Sequence, residues 1–279
     1  FSSNTVVCRG GLLPRDVLSK VQLGVGLDGV DEFGFDEGVR FRDVVEGSWQ
    51  RCLELWRRFA EERALLGGDD SGTELTRDRL LVPLLRELGF EPEFVGSVDV
   101  GSGSHPISHV SNGVVLHLLG CGVDLDRRSS GIPGASTMAA HSTLQQFLNR
   151  SDPHLWGVLS NGLRLRVLRD SVSLTRQAFV EFDLEAMFGG NVFPDFWLLY
   201  RICHASRFEG EPQSECLLER WVVAARDDGI RALDQLRDGV ENALVGLGAG
   251  FVTHPRNTEL RAAVESGELT GPDMYRLLM

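Results

Sequence analysis

The sequence predicts an α/β (α+β) fold, a mixed sheet with flanking helices and a carboxy-terminal helical region. Three observations carry this. Residues 154–188, HLWGVLSNGLRLRVLRDSVSLTRQAFVEFDLEAMF, read as strand, tight turn, strand, loop and strand. Residues 41–66 and 77–88 repeat their apolar side chains at helical spacing instead. Glu215–Val245 is again helical, Gly246–Gly250 reads as its terminator, and Thr258–Ser266 and Pro272–Met279 close the chain.

In chain order, residues 1–37 carry many glycines and read as loop, with a helix over Pro14–Lys20. Val44, Val45, Trp49, Cys52, Leu53, Trp56, Phe59 and Ala60 form the apolar stripe of the first long helix. A Gly/Asp/Ser loop over 67–72 follows. Thr76 is placed to cap a helix over Arg77–Leu88, which Gly89 ends. Strands are expected over Glu93–Val98, Ile107–Val110 and Val114–Leu119. Gly120–Ser136 is irregular, and Thr137–Arg150 is helical through Met138, Leu144, Phe147 and Leu148. Trp156–Leu159 and Leu163–Leu168 flank Asn161-Gly162, the strongest two-residue hairpin signal. The second of these strands alternates Leu163, Leu165 and Val167 with Arg164 and Arg166. Phe179–Phe182 is a further strand, Asp183 opens a short helix, and Asp195–Ala205 is a nearly all-apolar, buried helix. Glu215–Val245 is one or two long helices whose inward face holds Leu217, Leu218, Trp221, Val222, Ala225, Ile230, Leu233, Leu236, Val240 and Leu244.

Composition narrows the function classes. Hydrophobic content of 42% and charged content of 24% belong to an ordinary globular protein, and no apolar run is long enough for a membrane span. With no signal pattern, a cytoplasmic protein is expected. The chain begins at Phe1 and stops inside a helical pattern, as a piece of a longer protein would. Five scattered cysteines without a CxxC pair indicate neither a disulfide framework nor a zinc site. The net charge is −12, which argues against a broad grip on a nucleic-acid backbone. Lys20 is the only lysine, so lysine-dependent chemistry must use it or not occur.

The stretches RGGLLPRDVL, GSWQRCLELWRRF, TRDRLLVPLLRELGF, HLLGCGVDLDRR, LQQFLNRSDPHLWGVLSNGLRLRVLRD and GPDMYRLLM span nearly the whole chain. Together they resemble the amino-terminal region of large adenine-specific DNA methyltransferases of phage-defence systems, of the type IIG restriction, BREX and DISARM kinds. The order helix, strand, strand, helix, strand, strand from Thr76 to Phe182 resembles a PD-(D/E)XK nuclease core. The resemblance implies three segments. These are an amino-terminal loop and helical segment (1–72), a degenerate nuclease-like α/β domain (73–205) and a helical region leading to a methyltransferase domain (206–279). It also implies S-adenosylmethionine as the cofactor of the parent protein, DNA as its partner, and other defence-system subunits as further partners. The methylase signature Asn-Pro-Pro-Tyr or Asp-Pro-Pro-Tyr does not occur in these residues, so no cofactor is expected in this part.

The nuclease core requires an acidic residue, a spacer and a lysine on one strand, where the carboxylates hold Mg²⁺ and the lysine polarises water. The corresponding strand, VVLHLL, has neither. Asp124 and Asp126 lie in the following loop and are the only candidates for an active nuclease using Mg²⁺. Their spacing equally suits a turn that orders Arg127 and Arg128. His105 and His109 could share a metal with Asp124, but four scattered histidines (with His117 and His141) lack a compact ligand motif, and no metal site is expected. Gly24–Gly29 matches GxGxxG by letter without a strand before it. Arg164, Arg166, Arg169 and Arg176, with Arg127 and Arg128, are the candidate DNA contacts. Asp170, Glu181, Asp183 and Glu185 lie near in sequence and offer the same arginines partners within the protein. The expectation is a non-catalytic domain that supports DNA or docks partners. The alternatives are an active metal-dependent endonuclease and an interaction module without DNA contact.

Overall fold

The computed structural model describes residues 3–101, 103–170 and 177–278, with the backbone alone for 275, 277 and 278. Two compact units emerge, 1–223 and 224–279. The expected boundaries at 72/73 and 205/206 are therefore not where the structure divides.

In the first unit the strands are β1 (Val6–Arg9), β2 (Glu93–Phe94), β3 (Val98–Val100), β4 (Gly103–His105), β5 (His109–Ser111), β6 (Val114–Leu118), β7 (Trp156–Ser160), β8 (Arg164–Arg169) and β9 (Phe179–Asp183). Among the described residues seven of them form one sheet in the order β1-β9-β8-β7-β6-β5-β2, and β3 pairs with β4 apart from it. β6 and β7 run parallel, and the other neighbours in the large sheet are antiparallel. A parallel pair needs a crossover, and α5 (Ala140–Leu148) supplies it. β6 and β7 are buried at every position, as central strands are. Leu144, Phe147 and Leu148 of α5 pack with Val115, Leu159, Leu168 and Phe179 of the sheet.

β1 corrects the reading of residues 1–37 as loop with one helix. Its register places Val6 opposite Phe182 and Arg9 opposite Phe179. The strand is four residues long and depends on β9 for its hydrogen bonds, so local pattern alone marks it weakly. The helix expected over Pro14–Lys20 is α1 (Arg15–Leu23). α2 (Phe41–Arg63) packs on α7 (Phe193–Cys203), with the rings of Trp49 and Phe196 5.0 Å apart. α6 (Leu184–Gly189) begins at Asp183, whose Oδ1 accepts the Ala186 N–H at 3.0 Å, as the sequence suggests.

The helix expected over Arg77–Leu88 starts earlier. α3 (Thr73–Thr76) runs into a π-helical turn (Arg77–Leu81) and then α4 (Val82–Glu87). Thr76 is not the cap. Its hydroxyl is buried and accepts the backbone N–H of Cys121 at 3.0 Å, a long-range use of a residue that local rules assign to a helix start. The Asn161-Gly162 turn joins β7 to β8 with Ser160 opposite Leu165. Gly162 is left-handed at φ 80, and a Cβ there would lie 2.5 Å from Thr76. Asn161 is not left-handed. Its Oδ1 instead accepts the N–H groups of Leu163 and Arg164, and its Nδ2 donates to the Val123 carbonyl at 2.8 Å.

The one or two helices expected over Glu215–Val245 are a single helix, α8 (Leu217–Thr253), which runs on through Gly246–Gly250 instead of ending there. Of the side chains assigned to its inward face, Leu217, Leu218 and Trp221 are buried, whereas Ile230, Leu233, Leu236 and Val240 are exposed. The second unit holds the rest of α8 with α9 (Thr258–Glu265) and α10 (Gly271–Leu278), and none of its described residues is buried. No described helix is long and apolar enough to cross a membrane.

Candidate nucleic-acid interface

The strand period of two puts Arg164 and Arg166 of β8 on one sheet face, and the antiparallel register sets Asp183 and Glu181 of β9 directly across from them. The pairs close accordingly. Arg164 lies 3.1 Å from both Glu181 and Asp183, with its side chain 46% exposed. Arg166 is buried. Its Nε donates to Glu181, and its two terminal nitrogens donate to the two oxygens of Asp126 at 2.7 Å each. The guanidinium also lies 4.5 Å from the Phe179 ring centre. Burial pulls the Arg166 pKa down, but hydrogen bonds and charge from Asp126 and Glu181 outweigh it and raise the pKa overall. The hydrogen bond from Arg166 holds the Asp126 carboxyl below its ordinary value.

Asp126 and Asp124 do not converge. Asp124 Oδ1 accepts the backbone N–H of Asp126 at 2.8 Å, and its other oxygen lies 3.7 Å from Arg127 at the surface. Both oxygens of Asp126 are taken up by Arg166. The pair does not fit the Mg²⁺ that the endonuclease alternative needs. Among the described residues, no group of three His, Cys, Asp or Glu side chains is placed to hold a metal ion.

The histidines are likewise separated. His109 Nδ1 lies 2.9 Å from the Ser108 hydroxyl, and His117 Nε2 lies 3.2 Å from the Gly134 carbonyl. His105 meets Phe147 edge-on. His141, at the start of α5, has Nδ1 3.3 Å from Arg166, and its Nε2 is buried without a partner. Burial first, then the nearby arginines, push His109 and His141 down to about 4. Burial does the same for His117. These rings are neutral at pH 7 and act as packed core groups.

Of the arginines expected at DNA, Arg169 is the third bound within the protein. It forms a two-point pair with Glu219 at 2.7 Å and ties β8 to the start of α8. Arg127 and Arg128 are exposed. Arg176 lies outside the described residues. Sequence reading missed two further arginines. Arg9 is exposed and lies 5.9 Å from the Phe179 ring centre, brought there by β1. The Val6-Val7 pair before Gly10-Gly11 was the available signal. Arg77 is half-buried, donates from Nε to the Leu118 carbonyl at 2.8 Å and lies 5.8 Å from the exposed Phe94 ring. Burial lowers its pKa. No sequence signal distinguishes it from the other arginines of its helix.

The surviving candidate surface is thus the Arg166–Asp126–Glu181 cluster, where two carboxylates face one guanidinium, with Arg9, Arg127 and the half-exposed Arg164, itself paired with Glu181 and Asp183, as cations of the same region. Such a surface can meet phosphates but offers no free carboxylate for metal-assisted hydrolysis. Compared with known protein families, curated proteins and solved structures, the chain matches none of them.

Proposed function

We propose that the chain is a non-catalytic, nuclease-like domain of a larger phage-defence DNA adenine methyltransferase, where it steadies DNA or docks partner subunits. One observation carries the non-catalytic part. Asp126, one of the two candidate metal carboxylates, is held on both oxygens by the buried Arg166, and β6 carries no carboxylate or lysine. The sheet supports the nuclease-like part. An antiparallel β2–β5–β6 run is followed by α5 and a parallel β7, the order expected of such a core. S-adenosylmethionine and methyl transfer belong, in this reading, to the parent protein.

The exposed arginines set the scale of any DNA contact. With a net charge of −12, binding is local and salt-sensitive. In a salt titration of duplex binding, Arg127→Ala/Arg128→Ala is expected to lower the slope of log K against log salt by about 2, one phosphate contact per arginine. No binding by the unmodified chain at low salt would remove the DNA role and leave partner docking. Plasmid cleavage in Mg²⁺ that disappears in Asp124→Ala would overturn the non-catalytic reading.

A further inference from the structure

The second unit has no buried residue among those described, yet its part of α8 is strongly patterned. Ile230, Leu233, Val240, Leu244, Leu247 and Phe251 recur at intervals of three, four and seven, the seam of a coiled coil. Leu233 is 67% exposed, Ile230 and Leu247 53%, and Phe251 48%. α9 and α10 do not relieve this. They border an apolar hollow of about 310 Å³ that Leu244 shares with Val264, Leu269 and Met274, and the rest of the seam stays open. Water-facing seams of this length mark association sites.

We propose that this seam pairs with the same seam of a second copy of the chain, antiparallel and two-fold symmetric. Charge placement argues for it. Arg237 sits inside the seam, between Leu233 and Val240, and Asp234 and Glu241 line one edge. A parallel pair sets Arg237 against itself, which is repulsive. An antiparallel pair centred between Asp238 and Gly239 sets Leu233 opposite the partner's Leu244 and Ile230 opposite the partner's Leu247. Arg237 then faces the partner's Val240, one residue from the partner's Glu241. A two-fold axis keeps like edges on one side, so each Arg237 meets a glutamate. The other edge carries the exposed Leu236 among the small Ala232, Gly239 and Ala243, which extends the apolar face on that side. At roughly 100 Å² of apolar surface for each of these side chains, each copy would cover on the order of 600 Å², near the ~800 Å² per partner of stable interfaces.

Sedimentation velocity of the whole 279-residue chain tests this. The expected species has twice the 30.8 kDa chain mass at tens of micromolar, roughly above the μM-to-pM span of interfaces of standard size. Arg237→Glu is expected to raise the dissociation constant at least about 10-fold, as loss of close charge pairs does. Arg237→Glu/Glu241→Arg is expected to restore it. Both positions are exposed, so the variants keep the fold, and unchanged helical circular dichroism checks this. On oxidation, Leu233→Cys/Leu244→Cys is expected to trap a covalent dimer. A chain that stays at 30.8 kDa at every concentration overturns the proposal. So does a charge-swapped double variant no tighter than Arg237→Glu, or a trapped dimer formed equally well by Leu233→Cys alone, the mark of a parallel pair.

Discussion

Arg166 and Arg207 are both buried guanidinium groups, and their surroundings could hardly differ more. Arg166 bridges two carboxylates, Asp126 and Glu181. Arg207 has none. It donates to the carbonyls of Gly29 at 2.9 Å, Glu32 at 2.8 Å, Val30 at 3.1 Å and Arg201 at 3.1 Å, and its guanidinium carbon lies 3.8 Å from the Phe33 ring centre. The pKa values diverge in consequence. That of Arg166 is raised, while burial, helped by Arg201, pushes Arg207 down to about 10. Carbonyl dipoles take up four of the five Arg207 N–H donors without cancelling the charge, whereas carboxylates accept the donors of Arg166 and oppose its charge as well. The carboxylate arrangement locks strands and loop 120–128 around a charge-paired centre. The carbonyl arrangement staples the loop through Gly29–Glu32 onto the core.

The sharpest test removes Arg166. Arg166→Ala leaves the buried Glu181 with only the half-exposed Arg164 as counter-charge and is expected to cost about 3–5 kcal/mol in urea unfolding. Arg166→Met/Glu181→Gln is expected to recover much of that, because the uncompensated charge is gone. A loss below ~1 kcal/mol for the single variant would show that water solvates the centre, and the contrast with Arg207 would fail.

Each arginine has a buried histidine beside it, His141 near Arg166 and His204 near Arg207, and both are pushed down to about 4 by burial first and then by the arginine. A group whose folded pKa lies below its ordinary 6.5 takes up protons more readily when unfolded. Stability from these rings is therefore full above pH 6.5 and is lost as pH falls from 6.5 toward 4. The size is up to about 3 kcal/mol per ring. His141→Gln and His204→Gln should each flatten part of this acid limb in unfolding curves taken at several pH values. Both rings sit at about 4 in the fold, so their two shares are expected to be of similar size.

The smallest expected effect is at Arg207. Arg207→Met keeps the packing on Phe33 but removes the donors, leaving carbonyls unmet at about 1–3 kcal/mol. This loss should not vary between pH 6.5 and 8, since no carboxylate is released. A loss matching that of Arg166→Ala would mean that the carbonyl cage holds its cation as firmly as the carboxylates do.

Much of the fold was legible because its signals are local. The β7–β8 hairpin, the strand at Phe179, the cap at Asp183 and the stop at Gly89 follow from side-chain period and turn chemistry over a few residues. β1 was missed because its register exists only against β9. Thr76 was misread because its hydroxyl serves Cys121, 45 positions away. The alternation of Arg164 and Arg166 was equally plain, and so were nearby acids that might hold them. Sequence proximity pointed to Glu181 and Asp183 but not to Asp126, which lies 40 positions from Arg166.

By itself, then, the sequence determined the alternation of strands and helices, the single lysine, the acidic balance and an apolar seam along α8 interrupted by Arg237. These depend on neighbours within a turn or two of chain. Only the tertiary structure decided that β6 and β7 run parallel, that Arg166 is consumed by Asp126 and Glu181, and that the seam from Ile230 to Phe251 is not part of a core. The physical reason is common to all three. Burial and charge neutralisation are set by which distant groups the fold brings together, and a period in the sequence names a face without naming what covers it.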